Sequence, residues 1–300
     1  IFAKTKRNNF MNYTKAFGIT TLGMILMSFE SPLIKMTHVP AQNFTFYFGL
    51  CMFVTMNLTL YSKHKNSIAS IYKNHLSSIL WSGLCIGLSN LLFILAIKHT
   101  SVASAVFILS TGPLVSAMIA FIFFKQKTPQ RTFGAIFFVF IGLAIILFND
   151  LELGNMEGNL YAFGCVFAFV SMLSVLERDK EANRLACFGT GALIASLLAA
   201  MTAPMIIPDS YSLWIIVFMG ALLTPLSRAF IGIGTKVLPS VEVALLTIIE
   251  PVLAPFWVWI LMDEKPHLNT LIGGAIIVTT LIVHSMMAYK EAKINDDQRR

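Results

Sequence analysis

Residues 83–124 read GLCIGLSNLLFILAIKHTSVASAVFILSTGPLVSAMIAFIFF. Two apolar runs meet there at the short polar break Lys98–Ser101, and each run is long enough to cross the hydrocarbon core of a bilayer as a helix. Neither run alternates apolar with polar residues, as the strands of a membrane barrel do. The stretch therefore predicts two consecutive membrane-spanning helices.

The composition of the whole chain points to the same class of protein. Of its 300 residues, 56% are hydrophobic and only 12% are charged. A soluble domain has about twice that charged fraction, and a water-soluble fold of this composition would expose a large apolar surface. The net charge of +7 is carried by short loops between apolar runs, which favours a membrane protein over a nucleic-acid-binding one.

Apolar runs of spanning length recur along the chain. We expect ten transmembrane helices, near residues 15–36, 43–62, 76–97, 101–124, 131–148, 158–177, 185–206, 212–235, 239–261 and 268–289. The predicted fold class is an all-α integral membrane protein. The four cysteines lie inside apolar runs, without a second cysteine or a histidine at metal-ligand spacing, so we expect neither a metal nor a cofactor.

The loop charges test this helix count independently. If the N-terminus is cytoplasmic, eighteen of the lysines and arginines fall on the inner side of the membrane and three on the outer side. This asymmetry follows the positive-inside rule and predicts a multi-pass protein, of a bacterial inner membrane, with both termini in the cytoplasm. Met11 begins a stretch that reads like a natural start, so residues 1–10 are expected to be an extension.

An internal repeat relates the two halves of the chain. Residues 98–129 align with residues 236–266 at an offset of 138, which superposes Lys98 on Lys236 and Pro113 on Pro251. Five spans in each half place the second half upside down in the membrane, an arrangement of inverted-topology repeats typical of transporters. The predicted units are residues 1–149, with an N-terminal tail over 1–14, residues 150–289, and a charged cytoplasmic tail over 290–300.

Two stretches resemble a known family. Residues 83–124 are similar to the third and fourth helices of EamA-type proteins of the drug/metabolite transporter superfamily. Residues 220–266, GALLTPLSRAFIGIGTKVLPSVEVALLTIIEPVLAPFWVWILMDEKP, are similar to the eighth and ninth helices, including the acidic Asp263-Glu264 before a turn. The resemblance implies ten helices in two repeats, with a central cavity lined by helices 1, 3, 4, 6, 8 and 9.

Three ionisable residues lie deep inside predicted spans: Glu30, Arg228 and Glu250. A charge in the hydrocarbon region is expensive, so such residues are candidates for function. Arg228 and Glu250 lie on antiparallel helices at depths that differ by only about 4–5 Å. They form either a structural ion pair or a substrate site, with Arg228 binding a carboxylate or phosphate and Glu250 an ammonium group or a coupling proton. Glu30 is either a proton or cation site or a residue hydrogen-bonded to a neighbouring helix.

Further candidates follow from the repeat and from the prolines. The offset superposes Asn90 on Arg228, while Trp257 lies two turns beyond Glu250 and either stacks on the substrate or packs structurally. Prolines interrupt the hydrogen bonding of a helix and are expected to kink it. The remaining predicted substrate contacts are Ser110, Thr111 and Thr247, and the predicted kinks are at Pro32, Pro113 and Pro251.

The function predicted is secondary transport of a small polar or amphoteric metabolite, such as an amino acid or a derivative, by alternating access between the repeats. A multidrug or organic-cation exporter is the alternative, and a membrane-embedded transferase a weaker one because the loops are too short to build its site. The expected partners are the small-molecule substrate, a coupling proton or cation, and membrane lipid, but not nucleic acid. The protein is expected to be a monomer or a homodimer.

Overall fold

A computed structural model describes residues 2–64, 68–112, 114–115, 118, 130–152, 156–179, 181–237, 246, 249–263 and 265–298. Within these residues the secondary structure is helical, and they contain no β-strand. The predicted all-α class is confirmed.

The described residues contain thirteen α-helices. They are α1 (Phe2–Met27), α2 (Glu30–Met36), α3 (Ala41–His64), α4 (Ile68–Asn74), α5 (Leu76–His99), α6 (Val102–Leu109), α7 (Gln130–Glu152), α8 (Met156–Arg178), α9 (Arg184–Thr202), α10 (Ser210–Phe218), α11 (Thr224–Val237), α12 (Ile249–Met262) and α13 (Leu268–Gln298). A π-helical turn, Met219–Leu223, joins α10 to α11.

Six predicted spans coincide with helices long and apolar enough to cross a membrane: Lys15–Met36, Ala41–His64, Leu76–His99, Met156–Leu176, Arg184–Thr202 and Ser210–Ile233. Three more coincide with shorter apolar helices, Gly134–Ile145, Val252–Met262 and Leu268–His284. The span predicted at 101–124 begins as α6 and continues largely outside the described residues. A multi-pass membrane protein is therefore supported, while the count of ten and the inverted repeats remain predictions.

The side chains of α3 show how these helices divide between protein and lipid. Its buried residues recur every fourth position, Phe44, Phe48, Met52, Met56 and Leu60, and so form one face. The opposite face carries apolar residues that are more than half exposed, among them Leu58 at 63%. An apolar residue gains nothing from burial when its surroundings are lipid, so large apolar side chains cover the outside of the bundle as well as its core.

Glycines allow the helices to cross at close range. The backbone at Gly49 of α3 lies so near α9 that a Cβ atom would fall 2.6 Å from the carbonyl oxygen of Ala192. Gly142 of α7 and Gly273 of α13 make a similar crossing, with 2.7 Å from such a Cβ to the Gly273 oxygen. Small residues at membrane-helix interfaces bring backbones into van der Waals contact, which replaces the hydrophobic driving force available in water.

The helices pack in a regular set of pairs. On one side of the molecule, α5 packs along α8 and against α9, and α6 also contacts α8. On the other side of the molecule, α1 packs along α11, α12 contacts α1 and α2, and α3 contacts α10 and the π-helical turn. The pairs α3–α9, α6–α12 and α7–α13 join the two sides.

Two lysines tie the end of the first span to the end of the third. Lys98 of α5 donates to the carbonyl oxygen of Thr37, and its Nζ lies 2.8 Å from the Thr37 hydroxyl. Lys35 of α2 donates to the carbonyl oxygens of Ile97 and Thr100, at 3.5 and 3.3 Å. Thr37 and Thr100 are the C-terminal caps of α2 and α5, so each lysine neutralises the negative end of the partner helix. We call these two lysines, together with the Thr37, Ile97 and Thr100 groups that accept their hydrogen bonds, the lysine clasp.

Candidate functional site

The first span is interrupted in its C-terminal half. α1 ends at Met27 and α2 begins at Glu30, with Ser28 and Phe29 in a turn between them. Pro32 lacks an amide hydrogen, so the carbonyl of Ser28 has no helical donor four residues later. The interruption brings the buried Glu30 side chain, which is 3% exposed, into the interior of the bundle.

A second irregularity interrupts the eighth predicted span, at the π-helical turn between α10 and α11. In the π-helical turn the amide of Thr224 donates to the carbonyl of Met219, five residues back. Pro225 cannot donate to the carbonyl of Ala221 and would clash with it in an α-helix, and the wider turn relieves that clash. The next helix, α11, then carries Thr224, Ser227 and Arg228 on one face because of their spacing of three and four residues.

The third element of the site is α12. It carries Glu250 in its first turn and Trp257 two turns later, on nearly the same face. The Trp257 indole Nε1 donates to the Ser28 hydroxyl at 3.0 Å, and its ring stacks on Phe29 at 4.4 Å between centroids. Trp257 thereby attaches α12 to the interrupted first span.

These three elements bring Glu30, Arg228 and Glu250 into one cluster, here called the three-charge cluster. Glu30 faces the hydroxyls of Thr224 and Ser227, and each glutamate lies within electrostatic range of Arg228 and of the other glutamate. Over the described residues, the ion pairs closer than 4.0 Å do not include one between Arg228 and either carboxylate. The charges therefore face one another without forming a closed salt bridge.

Polar atoms without a hydrogen-bond partner concentrate at this cluster. Six buried side-chain atoms among the described residues lack one, and four of them are Glu30 Oε1, Glu250 Oε1, Arg228 Nε and Thr224 Oγ1. Buried polar groups in native proteins are almost always paired, and leaving one unpaired costs about 1–3 kcal/mol. Arg228 and Glu250 are half-buried as whole residues, although the Arg228 Nε and Glu250 Oε1 atoms themselves are buried.

The wall opposite the charges is polar but neutral. The Cys165 thiol of α8 lies 3.3 Å from the Ser89 hydroxyl of α5 and within electrostatic range of Glu250 and Arg228. The Arg228 guanidinium also lies 5.8 Å from the ring centroid of Phe188 on α9, a cation–π distance. All three charged residues thus belong to α2, α11 and α12, while α5, α8 and α9 supply uncharged surface.

The other predicted site residues lie on α5, at the end of α6, on α12 or outside the described residues. Asn90 is half-buried on α5, next to Ser89. Ser110 and Thr111 are buried at the end of α6, where their hydroxyls donate to the carbonyls of Phe107 and Ile108, both at 2.7 Å. Pro251 lies in the first turn of α12. Pro113 and Thr247 lie outside the described residues, so the predictions made for them stand as they were.

Several residues of the site were not predicted from the sequence. Ser28, Thr224 and Ser227 are small hydroxyl residues with no signal of their own, and Cys165 is indistinguishable from a buried apolar residue. The spacing of Thr224, Ser227 and Arg228 was the one available signal, because it marks a polar face on an otherwise apolar span. The π-helical turn and the second proline of α12, Pro255, were also missed.

The chemistry available at this site is binding. Two carboxylates can hold ammonium groups or protons, and a guanidinium can hold a carboxylate or phosphate. Among the described residues, no three histidine, cysteine or acidic side chains group as metal ligands.

Comparisons with known proteins agree with this description. Residues 15–148 match the model of the EamA-like transporter family. A curated relative from Bacillus subtilis (strain 168), described as uncharacterized transporter YyaM, is 27% identical over 108 residues, which are 36% of this chain and 35% of the relative. The match therefore spans about a third of that relative. A solved crystal structure shares the fold, with a TM-score of 0.64 and 17% identity over 92% of this chain and 99% of the other.

Proposed function

We propose that the protein is a secondary carrier of a small polar or amphoteric metabolite, such as an amino acid or a derivative, because residues 15–148 match the model of the EamA-like transporter family. The family and the relative indicate a membrane transporter rather than an enzyme. The observation that carries the proposal is the three-charge cluster, in which both signs of charge face each other without a closed salt bridge. An amphoteric solute can supply the missing partners.

The proposed architecture is ten helices in two inverted repeats. If each predicted span is matched with the one five places later, the contact between α5 and α8 corresponds to the contact between α11 and α1. The contact between α5 and α9 then corresponds to the packing of the π-helical turn and α10 against α3. The pairs α3–α9, α6–α12 and α7–α13 correspond to themselves. This pairing is the one expected for two five-helix units related by an axis in the membrane plane, and it supports the repeat inferred from the 138-residue offset.

Two groups of helices follow from the same contacts. The first bundle, α1, α2, α11 and α12, carries the three-charge cluster, and the second bundle, α5, α6 and α8, carries Ser89 and Cys165 of the neutral wall. Alternating access is proposed to occur by rocking of one bundle against the other, with the glycine-rich crossing of α3 and α9 between them. Substrate bound to the charges of one bundle would then meet the other bundle as the cavity closes.

The proposed orientation places both termini in the cytoplasm of a bacterium, with the protein in the inner membrane. It follows from the concentration of lysine and arginine on the side of the termini. The lysine clasp then lies at the outer end of the molecule and closes the gap between the two bundles there.

Transport by the purified protein in liposomes tests the proposal. Liposomes are incubated with a defined mixture of amino acids, amines and organic acids, and the solutes retained inside are quantified by mass spectrometry. We expect uptake of at least one charged or amphoteric solute, and a loss of about tenfold or more in Arg228→Ala and Glu250→Gln. Lys15→Ala changes an exposed charge away from the site and serves as the control.

Two results would count against the proposal. If no solute enters above protein-free liposomes, the carrier function is wrong. If both variants transport as well as the unmodified protein, the carrier stands but the site is misplaced.

Export of organic cations is the second candidate function. It is favoured by one observation, the presence of two carboxylates against one guanidinium in the cluster. Protection of cells against cationic dyes, lost in Glu250→Gln, would support this candidate over metabolite transport.

A further inference from the structure

The charges of the three-charge cluster do not cancel. Glu30 and Glu250 contribute two negative charges and Arg228 one positive charge, all within electrostatic range of one another. The two lysines nearest the outer end, Lys35 and Lys98, are bound to helix-terminal carbonyls in the lysine clasp. With all three groups ionised, the cluster therefore has a net charge of −1.

An uncompensated charge in this position is unstable. Its neighbours among the described residues include Thr224, Ser227, Ser89, Cys165 and Phe188, none of which carries a charge. Charges in a membrane interior cost several kcal/mol unless they are paired, and the cost is higher where carboxylate oxygens lack hydrogen-bond donors. Glu30 Oε1 and Glu250 Oε1 both lack one. These three residues therefore leave one negative charge unpaired, which a proton or a cationic group of a ligand can neutralise.

We propose that the site selects organic ligands that carry a net charge of +1 and at least one ammonium or guanidinium group, and that Glu30 sets this selectivity. This inference rests on the proposed carrier function and narrows its substrate class. The cationic group of the ligand lies between Glu30 and Glu250 and takes the place of the proton. A carboxylate on the same ligand, where present, pairs with Arg228, which is free of a direct salt bridge for that purpose.

We assign the selectivity for ligand charge to Glu30 because of the orientation and burial of its side chain. The interruption after Met27 turns its side chain towards Thr224 and Ser227, and it is the most deeply buried member of the cluster. Arg228 and Glu250 alone would form a neutral pair, suited to a zwitterion with no net charge. Glu30 adds the one negative charge that makes a net cation the better match.

Matched ligand pairs test this proposal on the purified full-length protein. L-arginine and L-citrulline have nearly the same shape and differ by one positive charge, as do L-ornithine and L-glutamine approximately. Each is titrated in detergent solution while the midpoint of thermal unfolding is followed, because a ligand that binds the folded state raises it. We expect the cationic member of at least one pair to reach half of its effect at a concentration about tenfold lower than its neutral partner.

The variant Glu30→Gln keeps the size and polarity of the side chain but makes the cluster neutral. In this variant the advantage of the cationic member should disappear or reverse. Glu181→Gln is the matched control, since Glu181 is an exposed glutamate in the loop before α9, and it should retain the preference of the unmodified protein. If Glu30→Gln does not fold, Glu250→Gln removes the same charge and is expected to give the same loss of preference.

The proposal is overturned if the neutral member of both pairs binds as well as the cationic one, if no cationic member raises the unfolding midpoint, or if Glu30→Gln retains the cationic preference. The liposome experiment separates this failure from failure of the carrier function. Transport that favours zwitterions or anions would leave the carrier in place and refute the charge selectivity, whereas no transport of any solute would refute the carrier itself.

Discussion

Trp257 connects two elements of the site through its indole ring. It donates to Ser28 and stacks on Phe29, so it joins α12 to the turn that positions Glu30. Replacing Trp257 by Phe keeps an aromatic ring but removes the N–H donor. We expect the free energy of unfolding to fall by about 1–2 kcal/mol, from the lost hydrogen bond and the smaller ring. Thermal unfolding in detergent measures this change.

Trp259 provides the control for that substitution. It lies on the same helix with 48% of its surface exposed to the lipid side, so Trp259→Phe should change the unfolding midpoint very little. In a double-mutant cycle, Trp257→Phe and Ser28→Ala should be coupled by about 1 kcal/mol, because both remove the same hydrogen bond. Additive effects of the two substitutions would show that this contact contributes nothing.

Asp179, which directly follows α8, is a second residue whose role can be measured. Hydrogen bonds from the Ser78 hydroxyl, together with those from His75 and the Ala182 amide, hold the pKa of the Asp179 carboxyl below its usual range. The His75 Nδ1 atom lies 2.7 Å from an Asp179 oxygen. Among the described residues, Arg184, which donates to the Asp179 carbonyl oxygen, and the buried Cys187 also face this aspartate.

A carboxyl whose pKa is lowered by folding stabilises the protein above its unfolded pKa, about 4, and that contribution is lost as the pH falls through the folded value. Because the pair is largely accessible to water, the contribution is expected to be below about 1 kcal/mol. Asp179→Asn should therefore lower the unfolding midpoint slightly at pH 6. Between pH 5 and pH 3, the midpoint of the variant should fall less steeply than that of the unmodified protein. A decline as steep in the variant as in the unmodified protein would remove Asp179 as its cause.

At the scale of elements, the crossing of α3 and α9 leaves no room for a side chain larger than that of glycine at position 49. The Ser196 hydroxyl donates to the carbonyl of Phe46 at 2.9 Å across this crossing, next to Gly49. A methyl group on Gly49 would lie 2.6 Å from a carbonyl oxygen and 3.0 Å from the Ser196 Cβ, so the backbones would have to separate. Gly49→Ala is expected to destabilise the protein by about 1–3 kcal/mol, as overpacking does in other cores.

Gly134 in α7 is the matched control, because no atom lies within 4 Å of the position that its Cβ would take. Gly134→Ala should leave stability unchanged or raise it by up to about 1 kcal/mol through the higher helix propensity of alanine. Comparison of the two unfolding midpoints checks both expectations. Equal midpoints for the two variants would mean that α3 and α9 can separate without cost.

Most of the helices were predictable because a membrane span stands out in a sequence as a long run of apolar residues. Six runs of about twenty apolar residues were found as helices of spanning length, with ends within a few residues of those predicted. Shorter pieces were not predictable in the same way. Pro225 and Pro255 both stand inside spans, yet one lies beside a π-helical turn and the other inside a regular helix, since the outcome depends on how neighbouring helices satisfy the freed carbonyls.

The site was predictable only in part, for a physical reason. Glu30, Arg228 and Glu250 were singled out because charge is rare and costly in a span. Their grouping with Thr224, Ser227, Ser89 and Cys165 depends on how α5, α8, α11 and α12 rotate and cross, which packing determines and hydropathy does not. Trp257 illustrates the difference, because its position two turns from Glu250 was visible, whereas its hydrogen bond to Ser28 required the tertiary structure.

For the molecule as a whole, the lysine clasp makes the proposed rocking motion testable. It joins α2 of the first bundle to the end of α5 in the second, through Lys98 on Thr37 and Lys35 on Ile97 and Thr100. Under the proposed orientation, opening the cavity to the outside requires these hydrogen bonds to break. Hydrogen bonds from charged donors contribute about 1.5–3 kcal/mol, so their loss should raise the population of the outward-open state about tenfold or more.

Cys165 can report this population, because its thiol lies at the neutral wall of the site, 3.3 Å from Ser89. With Cys51, Cys85 and Cys187 replaced by alanine, a membrane-impermeant thiol reagent is applied to right-side-out vesicles. We expect Lys35→Met combined with Lys98→Met to speed labelling of Cys165 about tenfold, whereas Lys15→Met, at an exposed lysine far from the clasp, leaves the rate unchanged. Unchanged labelling in the double variant would mean that the clasp does not hold the outer end closed, and faster labelling only in inside-out vesicles would reverse the proposed orientation.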